Sequence, residues 1–294
     1  MAAEKGHKEE PVQKDGHVYR RIGHKGADTI TPGNTIDSFI AAVEQGVDMV
    51  EIDVLRDREG RLVIAHDHHD ALSRRPLDLT DALDAFQEKP LDQVEIDCDL
   101  KLPGREAELA GALAGHGMLE RAMVSTMEIE SLQKLRQLEP DLRLGWTYPK
   151  TRRDWTSYGW ARVGVAAALA AIRRRFPAIL ASKVPELGVD AVWAYHHAIT
   201  PRLVEAANQQ NVELIAWTVD DPARIRELAE MGVHGICSND PRLFAVADRV
   251  PEPDKPAKQS RAEKREAKRT AKEAANTNSA ATNTAAGSEA EEAG

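Results

Sequence analysis

Between residues 24 and 101 stand His24, a Glu-x-Asp pair at Glu51 and Asp53, His66, and an Asp-x-Lys pair at Asp99 and Lys101. Residues two apart on a strand face the same side, so Glu51 and Asp53 can offer two carboxylates to one hard cation and Asp99 can supply a third. Taken alone, a Glu-x-Asp pair reads as a solvent-facing strand and a single histidine as a hydrogen-bonded structural residue. The combination is what points to a site. Imidazole titrates near neutrality, which suits His24 and His66 to moving protons. Lys101 lies one strand step beyond Asp99 and can reach an anion. A divalent cation, a cationic side chain and two histidines are together what cleavage of a phosphodiester requires.

Such groups need elements that bring them to one place. Between residues 20 and 250 short apolar runs alternate with longer helical patterns, the order that a parallel barrel requires. Strands are expected at 19–23, 49–54, 94–100, 122–125, 142–146, 189–193, 214–218 and 235–237. Helical patterns occupy 35–45, 80–88, 105–115, 128–138, 160–175, 201–210 and 222–230. A further run at 62–65 follows the Glu59-Gly60 turn signal and is expected to form a hairpin with the strand before it. The expected fold is α/β, a single (β/α)8 TIM-like barrel over residues 18–250, with a disordered segment at 1–17 and a disordered charged tail at 251–294. In such a barrel, reactive groups gather at the C-terminal ends of the strands. His24 closes the first expected strand, Glu51 and Asp53 the second, residues 66–68 follow the hairpin, and Asp99 and Lys101 close the third.

The tail after Val250 carries eight basic and eight acidic residues without apolar periodicity, so it cannot bury enough surface to fold alone. The net charge of -9 therefore belongs to the rest of the chain and argues against nucleic acid as a partner. An anionic substrate then needs a local positive site. No run approaches the roughly 18 apolar residues of a membrane helix. The first fifteen residues lack an apolar core, so secretion is not expected, and the two isolated cysteines, Cys98 and Cys237, fit a reducing cytoplasm. The stretch 155–176, with Trp155, Trp160 and the basic run Arg173, Arg174 and Arg175, reads as a barrel helix with a basic end, and secondarily as a surface for a membrane.

Taken in order, H-K-G (24–26), P-G-N-T (32–35), G-V-D-M-V-E-I-D-V (46–54), H-D (66–67), D-L-K (99–101), A-W-T-V-D-D (216–221) and S-N-D-P (238–241) resemble the glycerophosphodiester phosphodiesterase family. The resemblance implies a TIM barrel that hydrolyses small glycerophosphodiesters to glycerol 3-phosphate and an alcohol, using one divalent cation, Mg or Ca. By position it implies His24 and His66 as the acid/base pair and Glu51, Asp53 and Asp99 as metal ligands. It also implies Lys25, Lys101 and Trp217 as substrate contacts. Three positions depart from the family's pattern: Lys25 replaces the arginine of H-R-G and loses its planar fork, Gly33 replaces the glutamate of P-E-N-T, and Asp99 replaces a longer glutamate. The D-x-K arrangement is similar to that of spider-toxin phospholipase D enzymes, which keeps lysophospholipase D or cyclising activity as alternatives. Two further readings are an amidohydrolase-like zinc site built on His66, His68 and Asp240, with His196 and His197 as the other available histidines, and a barrel that binds phosphodiesters without turnover.

Overall fold

The computed structural model describes residues 19–150 and 162–249. In chain order the elements are β1 (Arg20–Gly23), α1 (Ile36–Glu44), β2 (Met49–Arg56), β3 (Leu62–Ile64), α2 (His68–Ser73), β4 (Leu77–Asp78), α3 (Leu79–Ala85), β5 (Glu95–Leu100), α4 (Glu106–Gly115), β6 (Ala122–Thr126), α5 (Ile129–Leu138), β7 (Arg143–Tyr148), α6 (Arg162–Leu187), β8 (Ala191–Tyr195), α7 (Pro201–Gln209), β9 (Glu213–Trp217), α8 (Pro222–Met231), β10 (Gly235–Ser238) and α9 (Arg242–Ala247). Strands β1, β2, β5, β6, β7, β8, β9 and β10 pair in parallel, and β1 pairs with both β10 and β2, so the sheet closes into an eight-stranded barrel. The short strands β3 and β4 form an antiparallel extension on β2.

Alternation along each strand sorts the apolar side chains into two cores. Ile22, Met49, Met123, Ala191, Trp193, Ile215 and Cys237 fill the inside of the barrel. Phe39, Phe86, Leu113, Phe176, Leu203 and Phe244 belong to the larger core, with residues from both strands and helices. The interior admits a tryptophan because Gly145 faces it: a Cβ there would stand 2.7 Å from the Trp193 indole nitrogen. That indole N–H donates to the Met123 sulfur at 3.4 Å. Helix starts carry their own signals. Thr35, Thr200 and Asp221 each accept a backbone N–H of the first turn, and Pro201 and Pro222 follow two of those caps.

At the N-terminal face the first residues of four strands form a charged plug. Arg20 pairs with Glu213 at 2.6 Å and with Glu95 at 3.5 Å, and Arg143 reaches Glu95 at 2.9 Å. The charged rims at the two ends of the barrel are therefore made by different residues.

The structure corrects several expected boundaries. Strand β2 continues to Arg56 because β3 pairs with its last three residues, so Glu51 and Asp53 lie within the strand and not at its end. Strand β8 lies two residues later than expected, which brings Tyr195 to the rim beside Trp217. Helix α6 runs on to Leu187 through Pro177 and Pro185. The expected end was 175; proline removes a helical hydrogen bond, but burial of Phe176, Leu180, Val184 and Leu187 carries the helix past both prolines. The short elements α2, β4 and α9 were not expected. The segments 1–17 and 251–294, and Trp155 and Trp160, lie outside the described residues. Among the described residues, no helix is long and apolar enough to cross a membrane.

Removing one partner from a desolvated ion pair strands the other charges. Arg20→Ala should lower stability by about 3 kcal/mol, read as a shift of the urea unfolding midpoint. It should leave divalent-cation affinity unchanged, because the plug and the acidic rim are at opposite ends of the barrel. An unshifted midpoint would show that the plug contributes nothing.

Candidate active site

Strands β2 and β5 run side by side in a register that sets Glu51 beside Asp97 and Asp53 beside Asp99. Four carboxyl groups thus form a two-rung ladder on neighbouring strands. The deeper rung resists ionisation. Burial, then the charge of Asp53, pushes Glu51 well above its usual range, and burial does the same to Asp97. Ser125 donates to one oxygen of Asp97 at 2.7 Å, while the other has no hydrogen-bond partner. On the upper rung, burial would raise Asp53, but the ammonium of Lys101, with His66 and His24, holds it below the usual carboxylate range. Lys101 forms ion pairs with both Asp53 and Asp99. Burial works against its charge, yet these carboxylates keep it protonated far above neutrality.

His24, the residue after β1, places Nε2 at 3.9 Å from Glu51 and Nδ1 at 2.7 Å from the side-chain oxygen of Asn239. Burial, opposed by the charge of Asp53, lowers its pKa. The next residue, Lys25, sits at φ 52°, in the left-handed region, and its backbone N–H donates to Glu51 at 2.8 Å. Its ammonium faces Asp28 at 3.6 Å. Asp28 also accepts the N–H of Gly33 at 2.8 Å, and a Cβ on Gly33 would stand 2.5 Å from that same carboxylate oxygen. The acid of this loop is thus Asp28, which lies where a side chain at position 33 would begin.

Asn34 had no expected role, although it lies in the P-G-N-T run. It is buried, donates to the Asp53 carboxylate at 2.7 Å and accepts the Asp53 backbone N–H at 3.1 Å, so it holds that residue by side chain and backbone together. Asn239 and Asp220, in the S-N-D-P and A-W-T-V-D-D runs, were likewise not singled out.

His66 comes from the hairpin extension and is the most open member of the group, with 54% of its side chain exposed. Its backbone N–H donates to Asp70, which Arg74 holds at 2.8 Å, while Asp67 caps α2. Trp217 packs against the barrel's inner core, with its ring 5.8 Å from Tyr195 and its indole nitrogen buried without a hydrogen-bond partner. His24, Glu51, Asp53, Asp99 and Lys101 therefore meet directly. His66 reaches Asp53 through its charge, and Lys25 touches the cluster through its backbone.

A hard divalent cation takes oxygen ligands. Oxygens of Glu51, Asp53 and Asp99 lie within 4.8 Å of one another, the only such group among the described residues. Crowded carboxylates with one raised and one lowered pKa are a donor set that a cation would complete. The histidine-rich alternative does not converge in the same way. His68 opens α2, the rings of His196 and His197 stack at 3.9 Å after β8, and Asp240 is engaged by Arg242 at 2.7 Å. Burial, then His197, pushes His196 down to about 4.

Comparison with known proteins identifies relatives of this chain in sequence and in fold. The chain is 26% identical over 255 residues to the glycerophosphodiester phosphodiesterase of Caldanaerobacter subterraneus subsp. tengcongensis, covering 76% of this chain and 95% of that protein. A glycerophosphodiester phosphodiesterase from Parabacteroides distasonis superposes with a TM-score of 0.61 at 17% identity, over 79% of this chain and 97% of that one. An Oleispira antarctica phosphodiesterase, solved in complex with the product sn-glycerol-3-phosphate, superposes with a TM-score of 0.57 at 17% identity, over 78% and 96% of the two chains. The Glycerophosphoryl diester phosphodiesterase family matches residues 24–95 and 96–243. By the extent of that match the chain belongs to this family and is an enzyme of its class, a phosphoric diester hydrolase.

Proposed function

We propose that this enzyme hydrolyses small glycerophosphodiesters to glycerol 3-phosphate and an alcohol, with one divalent cation, Mg or Ca, held by Glu51, Asp53 and Asp99. The observation that carries the reading is the convergence of those three carboxylates with Lys101 and His24 on one rim of the barrel. The product found in the Oleispira relative supports glycerol 3-phosphate as the phosphate-bearing half. A bound cation would neutralise charge on the phosphoryl oxygens.

The protein's own groups do the rest. The Lys101 ammonium lies against two carboxylates and has a further N–H to present to a phosphoryl oxygen. Of the two histidines, one takes the proton of the attacking oxygen while the other protonates the leaving alkoxide. His66, open to solvent on its hairpin, can meet a departing alcohol. Trp217, beside Tyr195 on the opposite strands, offers an apolar wall to the substrate. Lys25 contributes its positive charge from the loop, anchored by Asp28. Two buried, unpaired cysteines support a reducing cytoplasm as the place of action.

Glycerol 3-phosphate release from glycerophosphocholine should require Mg or Ca, stop with EDTA, and be lost in Glu51→Gln; release unaffected by EDTA would overturn the metal-dependent reading. His24→Ala and His66→Ala should each lower turnover by about 100-fold or more with cation affinity nearly intact by calorimetry. Near wild-type rates in either variant would remove that histidine from the proposal. Asn34→Ala should weaken cation binding by about 10- to 100-fold, because Asp53 then loses both of its contacts with the Asn34 amide. Unchanged affinity would make Asn34 a loop residue only.

A further inference from the structure

The chain of contacts behind His24 does not end at Asn239. The Asn239 side-chain N–H₂ donates to Asp220 Oδ2 at 2.6 Å. The other Asp220 oxygen accepts the Asn239 backbone N–H at 2.9 Å and the Ser238 hydroxyl at 3.0 Å. Backbone contacts bind the same corner to the start of the barrel: His24 N–H donates to the Ser238 carbonyl at 2.9 Å and Thr29 N–H to the Asn239 carbonyl at 3.1 Å.

An amide side chain has a donor end and an acceptor end, and only its partners decide which way it points. An ionised carboxylate accepts and never donates. Asp220 therefore compels Asn239 to turn its N–H₂ outward and its oxygen toward His24. That oxygen can only accept, so a neutral His24 must carry its proton on Nδ1. Its Nε2, the atom that faces Glu51 at 3.9 Å, is left with a lone pair.

We propose that Asp220 is a positioning residue for catalysis: acting through Asn239, it fixes the tautomer of His24 and so makes this histidine the base that takes the proton of the attacking oxygen. His66 is then the acid. The proposal rests on the phosphodiesterase reading above for the role of His24, but the link from Asp220 to the imidazole is a matter of hydrogen-bond direction and can be read without turnover.

Replacing Asp220 by asparagine changes one oxygen into N–H₂. If the new amide oxygen keeps the Ser238 hydroxyl and the Asn239 N–H, its N–H₂ confronts the N–H₂ of Asn239. Asn239 must then flip and present a donor to His24, which moves the imidazole proton to Nε2 and abolishes the base. Exchanging both residues repairs this. In Asp220→Asn with Asn239→Asp, the amide at 220 donates to the carboxylate at 239, and that carboxylate again accepts from His24 Nδ1.

The test combines steady-state kinetics on glycerophosphocholine with nitrogen-15 spectra of histidine-labelled enzyme, in which the protonated ring nitrogen is identified directly. Wild-type His24 should be protonated at Nδ1 when neutral. Asp220→Asn should move the proton to Nε2 and lower kcat by about 10- to 100-fold with KM changed by less than about threefold. The exchanged double variant should recover both the Nδ1 tautomer and most of kcat, which a merely structural contact would not do. An Nε2 proton in the wild type, wild-type kcat in Asp220→Asn, or a double variant no better than the single one would each overturn the inference. His24→Ala measured alongside separates the two levels: if it stays active, the catalytic reading of His24 falls, whereas an inactive His24→Ala with a fully active Asp220→Asn removes Asp220 alone.

Discussion

Keeping four carboxyl groups together inside a barrel wall is the constraint around which the rest of the catalytic rim is arranged. Glu51, Asp53, Asp97 and Asp99 stand on adjacent strands in register, and ionising all of them with nothing between would be prohibitive. The molecule divides the load by depth. The deeper pair is steered toward the neutral form by burial, while Lys101 holds Asp53 ionised and pairs with Asp99 as well. One more positive charge is the natural completion of such a set, and a cation bound there would share a single electrostatic balance with Lys101 and the substrate anion.

Around that balance, the rim is built mostly from contacts that hold a charged group from behind. Asn34 grips Asp53 through both ends of its amide, and the left-handed turn at Lys25 aims a backbone N–H at Glu51. These contacts are short and come from backbone or amide groups, whose directions are fixed better than those of long charged side chains. The interior below is packed solid with Trp193 and its neighbours, so the carboxylates rest on a floor that does not yield.

Much of this was legible from residue order. The eight barrel strands were readable because buried strands stand out as short apolar runs between helical periods, and Glu51, Asp53, Asp99 and Lys101 because a period of two puts neighbours on one side. What escaped notice depends on partners far away along the chain. Asn239 meets His24 across 215 positions and Asn34 meets Asp53 across 19, and an isolated asparagine carries no periodic signal of such a meeting. The short motif containing each was visible, but the direction of its amide was not. Helix α6 runs past its expected end at 175 for a different reason: burial of the turns beyond Pro177 carries the helix through two prolines, and that burial is set by distant packing.

In the loop between β1 and α1 the acid beside Lys25 is Asp28, and Gly33 leaves it room. A Cβ at position 33 would stand 2.5 Å from the Asp28 carboxylate oxygen, so a side chain there and Asp28 as it now lies compete for one volume beside residue 25. A larger residue at position 33 would therefore have to displace the Asp28 carboxylate and with it the partner of Lys25, so a change at one of these positions is felt at the other two.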